Sequence, residues 1–280
     1  MLGSESIYKR IRFGSLVLVA AALLAGTAQA APIDHLAYDY DAARDTVGDA
    51  TWESETAATA NRDWTFDKTA QPIAVTGTGT TITKAYDFGG SLTTDPAYGG
   101  TTTFDGSDVD DNSTFEFWLK PDDLVGQEYI FETGANVSGL AFALDGTTLR
   151  FAIHANNGET ETNVTLPAVT DFIQVVGVIN EAHNTLYVNG AQADDVSDAV
   201  KPPKGWAGGN SAGLGAENAN GPDEFEGYDT FDGQIARIRF YDEALTGTEI
   251  QGLYNAMLPE PATLALLAAG VLGVMRRRRR

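Results

Sequence analysis

The chain has 280 residues, with 39 acidic against 18 basic side chains, 43% hydrophobic residues and no cysteine. A formal charge of −21 excludes nucleic acid and anionic lipid surfaces as natural partners of the body. Without cysteine there is no disulfide framework, thiol nucleophile or thiolate metal site, so a hydrophobic core must carry the stability.

The first element is a leader. Lys9, Arg10 and Arg12 form a basic region, Leu16 to Ala25 an apolar one, and Ala28-Gln29-Ala30 a small-x-small cleavage pattern that makes Ala31 the first mature residue. Residues 1–30 are read as a signal peptide and the protein as exported. Setting aside this leader and the tail after 258 leaves 228 residues, with 10 basic and 37 acidic side chains, a net charge of −27. That length suits one all-β sandwich.

Residues 31–85, rich in Thr, Ala and Asp, predict an edge strand with a loosely packed excursion. Ser113 to Lys120 alternates, placing Phe115, Phe117 and Leu119 on one face and Thr114, Glu116, Trp118 and Lys120 on the other. Glu128–Glu132, Gly139–Leu144 and Thr148–Ile153 predict further strands, the last two joined by a tight turn at Asp145-Gly146. Phe172 to Ile179 is an almost unbroken apolar run, the pattern of a strand buried on both faces. Thr185–Val188 returns from it, and Asn189-Gly190 marks a second hairpin. Residues 201–233 predict a long loop region, Ile235–Tyr241 a last strand, and Thr246 with Glu249 a capping box opening a helix over Thr248 to about Ala256.

The last 22 residues are Pro259-Glu260-Pro261, an apolar run of 14 residues from Ala262 to Met275, and five arginines. The run makes about 21 Å of helix, short of a bilayer core of about 30 Å, and the arginines favour a cytoplasmic end. This pattern closely resembles the PEP-CTERM sorting signal of Gram-negative envelope proteins. The resemblance implies an exosortase-type transpeptidase that cuts near Pro259-Glu260-Pro261 after export, membrane contact through the C-terminal helix at least until then, and residence in the cell envelope, at the surface or in the matrix.

Within the body, Thr114-Phe115-Glu116-Phe117-Trp118-Leu119-Lys120-Pro121 resembles the opening strand of laminin G-like, concanavalin A-like jelly rolls. Phe172 to Val178, Leu186-Tyr187-Val188-Asn189-Gly190, Gly213 to Ala216, and Phe231 to Tyr241 follow in that family's order. The resemblance implies an all-β antiparallel β-sandwich jelly roll with one short C-terminal helix, followed by the terminal hydrophobic helix. The chain divides into residues 1–30 (signal peptide), 31–85 (N-terminal strand and variable part of the sandwich), 86–257 (jelly-roll core) and 258–280 (sorting signal with its short membrane helix).

Members of that family often bind calcium at the sandwich rim, and Ca2+ requires six to eight oxygen ligands. Two acidic clusters offer them: Asp105, Asp108, Asp110 and Asp111, then Asp223, Glu224, Glu226 and Asp229. Each reads either as a metal site or as a solvated acidic loop. Ala236 stands where the family's last strand often carries Asp, which removes one carboxylate from the usual rim. Carbohydrate sites on sandwiches pair an aromatic platform with Asp and Asn, which singles out Trp206, Asn210 and Tyr228, with Trp118 as a further aromatic; packing is the competing reading of both tryptophans.

Glu224 to Asp229 has the spacing of a bulged glycosidase strand with the Glu and Asp identities changed, so a matched acid–base pair is not expected. His35, His154 and His183 form no spaced ligand pair. The expectation is a non-catalytic domain for adhesion or for recognition of a polysaccharide or envelope glycan. A structural acidic matrix protein is the alternative, and a glycosidase-related fold with residual activity the third reading.

Overall fold

The structure, a computed structural model, describes residues 36–45, 51–53, 64–66, 72–76, 78–89, 97–98, 112–135, 138–155, 158–180, 183–197, 212–217 and 225–259. The strands are β1 (Leu36–Asp41), β2 (Thr51–Trp52), β3 (Trp64–Phe66), β4 (Pro72–Ala74), β5 (Lys84–Asp87), β6 (Ala97–Tyr98), β7 (Ser113–Pro121), β8 (Gln127–Ala135) and β9 (Ser138–Asp145). They continue as β10 (Thr148–Ala155), β11 (Gly158–Thr165), β12 (Ile173–Asn180), β13 (His183–Val188), β14 (Ala191–Ser197), β15 (Gly213–Leu214), β16 (Asp229–Thr230) and β17 (Gly233–Tyr241), before helix α1 (Gly247–Met257).

Two sheets result. The first runs β14-β13-β12-β7-β17-β5-β4, with β1 sharing the edge of β17; the second runs β11-β10-β9-β8-β15-β6-β3-β2, with β16 parallel to β8. The alternation read in the sequence sorts residues between these layers. Phe115, Phe117 and Phe240 of the first sheet face Phe131 and Phe142 of the second, with Phe117 and Phe142 centroids 4.9 Å apart.

The turns fall where the sequence marks them. Asn189 (φ +52°) and Gly190 (φ +77°) supply the two positive dihedrals of a type I′ hairpin. Gly146 (φ +57°) opens the two-residue loop between β9 and β10. In β12 the glycine at 177 has a different reason: a Cβ there would lie 2.6 Å from Phe151 Cε1 and closer still to Phe142. Those two rings stack at 4.3 Å directly beneath it. Gly177→Ala is expected to cost about 1–3 kcal/mol by overpacking, read as a lower urea midpoint at an unchanged slope.

β12 is buried on both faces, as its apolar run predicts, because α1 covers the outside of the first sheet. Val176 and Val178 lie with Tyr187, Tyr241, Leu245, Ile250 and Leu253 under the helix. The capping box is present: Thr246 Oγ1 accepts from Glu249 N–H, and Glu249 Oε2 accepts from Thr246 N–H at 2.7 Å.

Trp118 is resolved as a packing residue. It is fully buried, its ring lies parallel to Tyr254 at 5.8 Å, and its Nε1 donates to Glu116. The described part of residues 31–85 is not loosely packed, since Tyr38, Tyr40, Trp52, Trp64 and Phe66 all enter the main core. The terminal hydrophobic segment lies outside the described residues; among those described, no helix is long and apolar enough to cross a membrane.

Candidate functional site

Three strands of the first sheet end side by side. β7 closes at Pro121, β5 closes at Asp87, and β17 begins at Gly233 between them. The residues just beyond these ends therefore meet: Asp87, Asp122, Asp123 and Asp232, with Glu128 from the start of β8. Asp122 N–H donates to the Asp232 carbonyl at 2.9 Å, and Asp232 N–H donates to Glu128 Oε2 at 3.2 Å. Their side chains repel. Burial, reinforced by Asp232, Asp123 and Asp229, pushes the Glu128 carboxyl up to about 7. Burial together with neighbouring aspartates raises Asp232 and Asp87 as well.

The linkage has a definite sign. A carboxyl raised from 4.5 to about 7 holds its proton longer in the folded state. Its contribution to stability is full below pH 4.5 and is lost as pH rises through 7. Glu128→Gln should therefore flatten the decline in melting temperature between those limits and be more stable than the wild type at pH 8. A parallel decline in both proteins would remove Glu128 as the cause.

The segment leading into this rim carries two aromatic rings, Phe225 buried and Tyr228 half-buried. Phe225 and Tyr228 flank a tight turn through Glu226 and Gly227 (φ +88°), closed by Tyr228 N–H donating to the Phe225 carbonyl at 3.0 Å. Both rings rest on the outward face of the second sheet, where Ala141, Ala143 and Ala152 leave room beside Tyr129. Arg150 orders them. Its guanidinium sits 4.6 Å from the Phe225 centroid, donates to Tyr228 Oη at 2.7 Å, and pairs with Glu161. Burial pushes the Tyr228 phenol up while Arg150 pulls it partly back.

Of the residues singled out in the sequence, Tyr228, Glu226 and Asp229 thus fall on one segment. Tyr228 is half-buried against Arg150, Glu226 is exposed in the turn, and Asp229 is exposed on β16. Pro259 is exposed just after α1. Ala28, Ala30, Ala31, Asp108, Asp110, Asp111, Trp206, Asn210, Asp223, Glu260 and Pro261 lie outside the described residues.

Sequence reasoning missed Asp87, Asp122, Asp123, Glu128 and Asp232. The signal was available in part: Asp122-Asp123 directly follows the opening strand and Asp232 directly precedes the final one. Among the described residues, no three His, Asp or Glu side chains converge as metal ligands. The rim is a concentrated negative field next to an ordered aromatic pair, an arrangement suited to binding.

A family model described as the Concanavalin A-like lectin/glucanases superfamily matches residues 95–251, and a PEP-CTERM protein-sorting motif matches 258–280. Among solved structures, domain 4 of AbnA, a GH43 extracellular arabinanase from Geobacillus stearothermophilus in complex with arabinotriose, is similar at 15% identity and a TM-score of 0.58. That match covers 79% of this chain and 98% of the other. The binding domain of botulinum neurotoxin DC, in complex with rat synaptotagmin II, is 12% identical at a TM-score of 0.58, covering 80% of this chain and 52% of its own. Botulinum neurotoxin type C, whose cell entry depends on interaction with two ganglioside molecules, matches at 13% identity and 0.56, covering 80% and 51%. This chain thus spans about half the length of the neurotoxin chains, and at such identities the likeness shows the fold. No curated protein matches the sequence.

Proposed function

The chain belongs to the concanavalin A-like lectin/glucanases superfamily, and from that premise we propose that it is a non-catalytic recognition module contacting polysaccharide or envelope glycan outside the cell. The PEP-CTERM motif directs it to the Gram-negative cell envelope. In this reading the leader is removed between Ala30 and Ala31, and an exosortase-type transpeptidase processes the tail at Pro259-Glu260-Pro261.

One observation carries the recognition role. The segment from Phe225 to Asp232 fixes an aromatic ring, Tyr228, by an arginine and sets it beside exposed carboxylates. Such a pairing offers a sugar ring an apolar stacking face and hydrogen-bond acceptors for its hydroxyls. The nearest supports outside the chain are neighbours of the same fold, one solved with an arabinotriose and one that enters cells through gangliosides. Ca2+ enters the proposal only as a diffuse counter-ion for the rim, where Asp232 repels both Glu128 and Asp87 and the described residues form no set of converging ligands.

The test is binding of the protein to a polysaccharide panel, with calcium and again with EDTA. Saturable binding to a few glycans, weakened about tenfold or more by Tyr228→Ala, is the expected result. Loss of that binding in EDTA would make it dependent on a divalent cation. Absence of binding to every glycan overturns the recognition role and leaves an acidic matrix protein, for which the net charge of −27 on the body already speaks.

A further inference from the structure

A groove lies on the outward face of the first sheet, where β12, β13 and β14 meet the segment leading into α1. It measures about 240 Å³, with Tyr187 and Leu245 among its walls. Pockets for drug-sized ligands run to roughly 300–1,000 Å³, so this one admits a single ring-sized molecule.

Its construction depends on an irregularity in the sheet. β13 and β14 pair Thr185 with Asp195 and Leu186 with Asp194, but then Tyr187 with Gln192, so one residue of β14 is extra. That bulge resets the alternation and puts Gln192 on the same face as Asp195, with both beside the groove. Asp194, pointing the other way, accepts from Asn163 N–H at the edge of the second sheet at 2.9 Å.

Asp195 is held in place from two sides. Thr185 Oγ1 donates to its Oδ1 at 2.7 Å, and His183 Nδ1 lies 3.3 Å from both oxygens. Its side chain nevertheless keeps 31% of its surface open to the groove and solvent, leaving acceptor capacity for a ligand. Asn180 and Gln192 are exposed at the margin and supply amide donors and acceptors. The chemistry is an apolar wall with an aromatic ring, and a polar margin centred on one oriented carboxylate. It matches a polyhydroxylated ring with one apolar face. An acidic ring is disfavoured by Asp195 and by the body charge.

We propose that this groove is a binding site for one neutral or amino-sugar unit of a glycan. The proposal extends the recognition role to a second place on the molecule and rests on that reading. The groove adjoins Thr246 at the start of α1, and the sorting motif follows the other end at Met257. An 11-residue helix separates the two by about 16 Å.

The experiment is saturation-transfer NMR on the full chain in a zwitterionic detergent. The probes are methyl α-glucoside, methyl α-galactoside, methyl α-mannoside and N-acetylglucosamine. At least one should show saturable transfer, with its dissociation constant raised about tenfold in Asp195→Asn, the loss of one hydrogen bond to a charged group, and also raised in Gln192→Ala. Monosaccharide binding that Tyr228→Ala abolishes and Asp195→Asn spares would overturn the groove while keeping the recognition role at the rim. No transfer from any probe, while polysaccharide still binds, also overturns the groove. Failure of both monosaccharide and polysaccharide removes the recognition role itself.

Discussion

Glu116→Gln should lower the unfolding free energy by about 3–5 kcal/mol, the range for breaking a buried ion pair from one side. Glu116 is fully buried beneath α1, and four donors close on its carboxylate. Trp118 Nε1 (2.9 Å) and Gln174 Nε2 (2.8 Å) bind Oε1, while Arg239 Nη1 (3.1 Å) and Tyr241 OH (3.0 Å) bind Oε2. An amide cannot take this place. Whichever way it is turned, its NH2 faces a group that can only donate, Trp118 Nε1 or Arg239 Nη1, so at least one hydrogen bond is lost along with the charge. Arg239, itself only 8% exposed, would be left with the Asp39 carboxylate at 3.4 Å. Asp39 is already shared, since it accepts two bonds from Arg237 at 2.9 and 2.7 Å. Urea unfolding followed by tryptophan fluorescence reads the effect. In the double variant with Arg239→Gln the losses should fall well short of additive, because each single change strands the other partner. A cost below about 1 kcal/mol would mean that water reaches Glu116 and that α1 does not seal this face.

The strands and their hairpin turns were legible because strand periodicity and turn chemistry are local. Phe115, Phe117 and Leu119 alternate whatever covers them, and Asn189-Gly190 forms its turn from its own dihedrals. What covers the other side was not legible. Thr114, Glu116 and Trp118 look like the outer positions of an ordinary half-exposed strand, yet all are buried because a helix some 130 residues later lies across them. The family match at 95–251 bears out the resemblance read from those strands. The candidate site was legible in part. Tyr228, Glu226 and Asp229 stood out by residue type on one short segment. Arg150, which orders Tyr228, sits in a strand with no local mark of function. The rim aspartates converge only because β5, β7 and β17 end together, a fact of sheet order.

Trp64→Ala should cost about 3–5 kcal/mol, as much as any single truncation in the core. The segment around it carries little periodic signal: β2 and β3 are two and three residues long, set among Thr, Ala and Asp. Burial tells otherwise. Trp64 is fully buried, with its ring edge-on to Phe131 at 6.1 Å and tilted against Tyr40 at 6.1 Å. Two residues on, Phe66 stacks on Tyr86 at 4.7 Å. These contacts join β3 of the second sheet to β1 and β5 of the first across the interior. They also reach the candidate site, since β3 continues through β6 and β15 to β8, the strand that bears Glu128 and Tyr129. The loss should therefore be global. Near-ultraviolet circular dichroism and tryptophan fluorescence should shift together to a lower midpoint, and glycan binding through Tyr228 should weaken only where the fold itself begins to open. If the segment were a loose attachment, the variant would unfold within about 0.5 kcal/mol of the wild type, as surface substitutions do. That outcome would detach residues 36–66 from the core and leave β5, β7 and β17 to hold the rim without them.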